Sequence, residues 1–437
     1  MELLKSFDGS AIDLGTLQEA YDTLNLETES TGKYIVDVEL VPGTENCQST
    51  AHSGILRLTA SDGNTTEVFL KKVTASASQK REWNDRRRYL VYARTEARFY
   101  EEFSHILKHR NVPIPTLATS KKNLDSVLGD SELSGPVNEE PEAKILQHAG
   151  CFLFLSCAGR KLIQESPLSE KMAEIALNTV ARLHAAAWED KELLEKAASR
   201  LQRFGGSFAL SMRNPKEIQK IPGNWKRFSD VFSPLNPDLF ERKGIDQLGT
   251  RLVAIAPWVA KQLSVLPDQR HATLIHGDFK AMNVFLPAEH SNERDGLLID
   301  FASTGVGYGM SDVAMHLSHS VSPEVLANGG EERLIASYIN ALKKVYAERG
   351  AGMAMCEYPP SVASLHYKLG VVDYARFVLG RFWGNASPEV FLSKADKPNV
   401  TLVNRNAKAA LAFVEKTHRC LLELEQLSQI DERVVKD

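Results

Sequence analysis

Residues 273–301 read TLIHGDFKAMNVFLPAEHSNERDGLLIDF. The apolar run Thr273-Leu274-Ile275-His276 enters a polar loop, and a second apolar run, Asn283-Val284-Phe285-Leu286, leaves it. A turn-rich hairpin follows, after which Leu297-Leu298-Ile299 delivers Asp300. The pattern predicts three short strands whose ends bring His276, Asp278, Asn283 and Asp300 close together in sequence. Asp278 and Asn283 alone could be ordinary turn formers. Asp300, arriving at the end of the next apolar run, favours a chemical role instead.

The spacing His276, Asp278, Asn283 is H-x-D-x-x-x-x-N, the pattern of a phosphoryl-transfer catalytic loop. Moving a γ-phosphoryl group requires a carboxylate that takes or orients the proton of the attacking hydroxyl. It also requires oxygen ligands for a Mg²⁺ that bridges the phosphates. Asp278 fits the base, and Asn283 and Asp300 fit the metal. The implied cofactors are ATP and Mg²⁺.

Upstream, the first third of the chain reads as strands: Tyr34–Leu40, Ile55–Thr59 and, after a Ser-Asp-Gly-Asn turn, Val68–Val73. A helix follows through RTEARFYEEFSHILKH (94–109), ended by the prolines of N-V-P-I-P. Glu96 shares the face of Phe99, Tyr100 and Phe103, so it points at protein and wants a cation. Lys71 on the preceding strand is the natural partner; Lys72, facing the other way, is the alternative. Both lysines could instead be edge-strand charges.

Residues 119–143 are polar and predict a long surface insertion. Cys151-Phe152-Leu153-Phe154-Leu155 reads as a buried strand ending at a hinge, Ser156-Cys157-Ala158-Gly159. Thereafter the chain turns helical. Ser169 is an N-cap, and Met172, Ile175, Ala176, Thr179, Val180 and Leu183 form one apolar stripe. An irregular stretch near 204–244 precedes another helix through LVAIAPWVAKQL (252–263). The expected organisation is α+β in two lobes, a strand-rich N-terminal lobe over 1–155 and a mainly helical C-terminal lobe over 156–437.

Composition bounds the partners. Of 437 residues, Lys+Arg number 52 and Asp+Glu 56, a net charge of −4, which lacks the footprint of a general nucleic-acid or polybasic membrane binder. The five scattered cysteines (Cys47, Cys151, Cys157, Cys356, Cys420) form no C-x-x-C pair and predict a reduced, cytoplasmic protein. No apolar run reaches the roughly 20 residues of a membrane span.

Five stretches, VFLKK, RTEARFYEEF, LNTVARLHAAAW, LIHGDFKAMNVF and LIDFASTGVGYGMSDVAMHL, together with YKLGVVDYARF, resemble the aminoglycoside phosphotransferase/choline kinase superfamily, most closely its ecdysteroid-kinase-like branch of small-molecule kinases. The resemblance implies a bilobal, protein-kinase-like fold and transfer of the ATP γ-phosphate to a hydroxyl of a small acceptor. It assigns Lys71 to the phosphates with Glu96 as its partner, Asp278 to the base and Asn283 and Asp300 to Mg²⁺. It matches Asp312 to the residue that brace the catalytic loop, although a helix N-terminal charge reads equally well. Asn46, Ser49 and Thr50 would cover the phosphates, and the hinge at Leu155 and Ser156 would meet adenine. Asp373, Tyr374, Arg376 and Trp383 would line the acceptor pocket, or pack as ordinary helix residues. His184 and His276 read as structural.

Three features depart from that pattern. The phosphate-covering segment GTENCQSTAHSG is poor in glycine, the hinge lacks acidic residues, which leaves ATP over GTP open, and GVGYG (305–309) reads as a tight substitute for an activation segment. Three rival readings stand beside the small-molecule kinase. A protein kinase is disfavoured by the missing G-x-G-x-x-G and by Asp300-Phe301-Ala302 in place of D-F-G. A nucleotide-binding scaffold is disfavoured because every expected catalytic side chain is present. A metal hydrolase would need more ligands than His316 and His319 offer at helix spacing.

Overall fold

Strict alternation along one strand organises the first part of the molecule. In Thr65–Thr74, Val68, Leu70 and Lys72 are buried on one face, while Phe69 and Lys71 belong to the other. The computed structural model of the chain describes residues 5–7, 9–26, 32–47, 51–78, 82–128, 140–159, 162–288, 295–351 and 356–434, and the observations below concern these. They fall into two units, Met1–His109 with Ile114–Arg160 and Ile299–Ala302, and Arg110–Pro113 with Lys161–Leu298 and Ser303–Asp437.

The first unit is a six-stranded antiparallel sheet of β1 (Ile35–Leu40), β2 (Asn46–Cys47), β3 (Ala51–Ala60), β4 (Thr65–Thr74), β5 (Leu117–Asn123) and β6 (Gly150–Ser156), in the order β1-β3-β4-β6-β5 with β2 beside β3. One face packs on α1 (Leu14–Leu24) through Leu17, Tyr21, Leu56, Val68, Leu70 and Phe154. The other packs on α2 (Trp83–Arg98) through Val73, Trp83, Leu90, Val91 and Cys151. The helix begins eleven residues earlier than the sequence reading placed it, and continues through a π-helical turn, Phe99–Phe103, into Ser104–His109. The expected insertion at 119–143 is corrected at its start. Residues 117–123 are an edge strand paired with β6 along Leu117↔Leu155 to Asn123↔Gly150, because a polar edge strand alternates only weakly in hydrophobicity. Beyond the strand, Asp125–Leu128 forms one helical turn, and residues 129–139 lie outside the described residues.

The second unit is mainly helical. Its longer helices are α3 (Glu170–Ala187), α4 (Lys191–Arg200), α5 (Ile221–Phe232), α6 (Leu248–Gln262), α7 (Gly309–Ser320), α8 (Gly330–Tyr346), α9 (Pro360–Arg381) and α10 (Ala407–Val434). Ser169 caps α3 by accepting from the Met172 amide, and Met172, Ala176, Thr179, Val180 and Leu183 are buried. The stretch near 204–244 is more regular than its prolines suggest: Pro222 sits in the first turn of α5, where its missing N–H costs nothing, and Ile221, Trp225, Phe228 and Phe232 bury one face. Two small sheets hold the loops between these helices: β7 (Leu162–Ile163), β10 (Val284–Pro287) and β11 (Leu297–Leu298) form one, and β8 (Gln202–Phe204), β9 (Thr273–Ile275) and β12 (Gly305–Gly307) the other. The GVGYG segment is therefore partly a strand, not an activation-segment turn; a Cβ on Gly305 would lie 2.2 Å from the Gln202 carbonyl oxygen, so only glycine lets those strands approach. Among the described residues no helix is long and apolar enough to cross a membrane.

The buried histidines of α7 are expected to make the second unit acid-sensitive. His316 stacks on Phe279 at 4.4 Å, and burial pushes both His316 and His319 down to about 3. Their unfolded forms take protons near pH 6.5, so between about 3 and 6.5 the unfolded chain holds more protons and stability falls as the pH drops. Each histidine is expected to contribute about 1.4 kcal/mol per pH unit. His316→Phe should remove one histidine's share of the slope of urea midpoint against pH between 7 and 5; an unchanged slope would clear His316 of the effect.

Candidate functional site

In the first unit, alternation turns Lys71 toward α2. Its Nζ lies 2.6 Å from Glu96 Oε2 and 2.8 Å from Asp300 Oδ1. Lys72 points to the opposite face and donates to the Lys5 carbonyl oxygen at 3.0 Å. Glu96 is 3% exposed; burial pushes its carboxyl up, against the pull of Lys71, to about 7. Burial also opposes the Lys71 charge, but Asp300 and Glu96 together outweigh it and hold the ammonium well above its ordinary value. Asp300 has φ +66, a left-handed conformation that costs a non-glycine residue about 1–2 kcal/mol. The next residue holds it there: Phe301 stacks on Phe99 at 3.9 Å and meets Tyr100 edge-on at 5.9 Å, both in the π-helical turn, a feature that recurs at functional sites.

In the second unit, Asp278 sits in the loop between β9 and β10 with its carboxylate held from several sides. Lys280 Nζ donates to Oδ2 at 2.9 Å, Asn283 Nδ2 to Oδ2 at 3.1 Å and Ser207 Oγ to Oδ1 at 3.2 Å. Asn283 Nδ2 also donates to the Asp278 carbonyl oxygen at 2.8 Å, which commits its nitrogen and leaves its oxygen as the donor atom a hard cation would use. Below the loop, Asp312 is 2% exposed and accepts from the His276 amide at 2.7 Å and the Gly277 amide at 2.9 Å. His184 Nε2 lies 3.1 Å from the same carboxylate, and its Nδ1 2.8 Å from Tyr338 Oη. Of the two readings of Asp312, the loop brace is the one its hydrogen bonds realise.

Gly277 completes the brace. It has φ +80, and a Cβ there would lie 2.1 Å from the Ser303 carbonyl oxygen. Gly277→Ala is expected to destabilise the second unit by about 2–4 kcal/mol through backbone strain and overpacking, read as a lower urea midpoint by tryptophan fluorescence. A midpoint unchanged by the substitution would mean the loop relaxes freely.

The other sequence candidates lie as follows. Asn46 is exposed on β2, opposite Ser53 of β3; Ser49 and Thr50 are outside the described residues. Leu155 is buried, and Ser156 donates its amide to the Thr116 carbonyl oxygen and accepts the Thr116 amide on Oγ, each at 2.9 Å. Asp373 is tied to Arg376, whose Nη2 reaches its carboxylate at 2.7 Å; Arg376 also donates to the Phe208 carbonyl oxygen at 2.5 Å. Tyr374 and Trp383 are core residues: Tyr374 donates to Thr401, and Trp383, fully buried, donates to Asn404 and stacks on Phe228 at 3.9 Å. His316 and His319 are buried on α7, and among the described residues no three His, Cys, Asp or Glu side chains form a metal-binding group. Sequence reasoning missed Lys280 and Ser207. Lys280, two residues beyond Asp278, could have been found by asking what neutralises that carboxylate. Ser207, 71 residues away, had no local signal.

Comparison with known proteins adds the family. The model of the phosphotransferase enzyme family matches residues 58–350, more than half the chain, and the chain belongs to that family. It is similar to the salt tolerance receptor-like cytoplasmic kinase 1 of Oryza sativa subsp. japonica, 29% identical over 140 residues that cover 29% of this chain and 33% of that protein. The match thus spans about a third of that protein's length. Among solved structures it is similar to an aminoglycoside phosphotransferase from Streptomyces rimosus in complex with ADP and streptomycin, at 14% identity, 84% and 98% coverage of the two chains and a TM-score of 0.35. An amicoumacin kinase in complex with AMP-PNP and Ca²⁺ is similar at 12% identity, 92% and 94% coverage and a TM-score of 0.42. A choline/ethanolamine kinase family protein from Mesorhizobium loti is similar at 10% identity, 93% and 98% coverage and a TM-score of 0.38.

Proposed function

We propose that this member of the phosphotransferase enzyme family is an ATP- and Mg²⁺-dependent small-molecule kinase that moves the γ-phosphoryl group to a hydroxyl of its acceptor. The observation that carries the reading is the Asp278 carboxylate, oriented by Lys280, Asn283 and Ser207 on a loop whose backbone Asp312 braces. A carboxylate fixed in this way can orient the attacking hydroxyl and take its proton as the phosphorus–oxygen bond forms. Lys71, kept cationic by Glu96 and Asp300, suits the phosphate oxygens of the nucleotide. Bound Mg²⁺ would neutralise charge on the phosphates, and the oxygens of Asn283 and Asp300 are the hard donors it prefers. The reading requires both constellations to act on one nucleotide.

We place the chain with the ecdysteroid-kinase-like small-molecule kinases on its LIHGDFKAMNVF and LIDF motifs. Its acceptor is an uncharged hydroxyl compound rather than a polycation. The one carboxylate among the residues assigned to the acceptor, Asp373, is matched by Arg376, so it is not free to draw an amine.

A nucleotide-release assay over amino alcohols, sugars and sterols tests this, with Asp278→Asn as control. Release that depends on an acceptor and vanishes in the variant supports the kinase. Nucleotide binding without acceptor-dependent release from any panel member would replace it by a nucleotide-binding scaffold.

A further inference from the structure

A cavity of about 330 Å³ opens in the second unit among the last turn of α7, the first turn of α8 and one face of α10. None of the residues assigned above to phosphoryl transfer lines it. Its size is at the lower end of what small-ligand sites occupy, roughly 300 Å³ and upward. Leu317, Leu326 and Phe413 give it an apolar wall.

Its charges sort into satisfied and available groups. Glu331 is engaged by Lys416 and by the Tyr367 hydroxyl, which donates to it at 2.9 Å. Glu415 is engaged by Arg242 at 2.7 Å. Glu332 and Arg419, both exposed, also line the cavity, and neither makes an ion pair among the described residues. One carboxylate and one guanidinium beside an apolar wall complement a molecule that carries both charges and an apolar body. A plain fatty acid or amine would leave one of them unmatched.

We propose that this cavity is a second ligand site for a small zwitterion with an apolar side group, the chemistry of a free hydrophobic amino acid. Its ammonium meets Glu332, its carboxylate meets Arg419, and its side group lies against Leu317, Leu326 and Phe413. The site bears on the catalytic loop through α7. That helix holds the loop at its start, where Asp312 accepts the His276 and Gly277 amides, and at its end, where Ser320 Oγ accepts the Ala281 amide at 2.8 Å. Leu317 lies between those two fastenings.

The test is independent of phosphoryl transfer, since it uses the full chain without nucleotide. Calorimetric titration with L-phenylalanine should saturate. N-acetyl-L-phenylalanine, which lacks the ammonium, and L-phenylalaninamide, which lacks the carboxylate, should each bind about tenfold more weakly. Glu332→Gln should erase the difference between phenylalanine and its N-acetyl form, and Arg419→Gln the difference between phenylalanine and its amide. Both positions are exposed, and an unchanged thermal midpoint confirms that the variants fold. Bound phenylalanine should also slow hydrogen exchange at the His276 and Gly277 amides. No saturation by about 10 mM, which is weaker than even millimolar binding, would overturn the site, as would equal binding of all three compounds or indifference to both substitutions. Unchanged exchange in the saturated protein would overturn the link to the loop.

Discussion

Asp278→Asn is expected to lower turnover by about a hundredfold to ten-thousandfold, the range a positioned general base supplies, while nucleotide affinity stays within about threefold. The substitution keeps the shape of the side chain and leaves an oxygen to accept from Ser207, so the loop should hold its form. What disappears is the negative charge that Lys280 and Asn283 now orient. The rate and the nucleotide dissociation constant must therefore be measured on the same preparation. Full turnover in the variant would sink Asp278 as the base. Loss of nucleotide binding with the turnover would make it a binding group instead.

Lys71→Met should cost the first unit about 3 kcal/mol of stability, because it strands a buried carboxylate. The Lys71 ammonium is the cation that meets both Glu96 and Asp300, and methionine keeps the stem while removing the charge. The loss should depend on pH. A carboxyl whose native-state pKa is raised favours the folded state at pH values below its unfolded pKa, and that contribution fades as the pH rises through the native value. Burial already pushes Glu96 up to about 7, and removing its cation pushes it further in the same direction. The native variant therefore keeps a proton on Glu96, and its deficit against the parent chain should be smaller at pH 5 than at pH 8. Trp83 is the one tryptophan of that unit and reports its urea unfolding. Adding Glu96→Gln to Lys71→Met should recover much of the loss at pH 8. A deficit independent of pH, with no recovery in the double variant, would show that the stem and not the charge matters.

The two constellations were unequally legible. Alternation showed that Lys71 and Lys72 face opposite ways and left Lys72 as the alternative to the preferred Lys71; the structure pairs Lys71 with Glu96. The H-x-D-x-x-x-x-N spacing marked Asp278 and Asn283 because both sit within one short loop. The edge strand at Leu117–Asn123 was missed because its polar residues carry little of the hydrophobic period that reveals a strand. The strand character of Gly305–Gly307 was missed because glycine has no side chain to signal a face, and its role is set by how closely Gln202 approaches. Tyr374 and Trp383 looked equally like pocket or core residues in the sequence; Thr401, Asn404 and Phe228, which engage them in the core, come from other helices and loops.

By itself, the sequence determined the strand-rich beginning, the helical remainder, the caps and faces of single elements, and the short-range spacing of the loop from His276 to Asn283. These depend on periodicity and on neighbours a few residues apart. Only the tertiary structure decided that Asp312 would brace the loop, that Ser207 would touch Asp278, and that Lys71 would meet Asp300 across 229 residues of chain. Such pairs are fixed by how whole elements pack, and a chain's local pattern encodes which face is buried without encoding which distant residue it will be buried against.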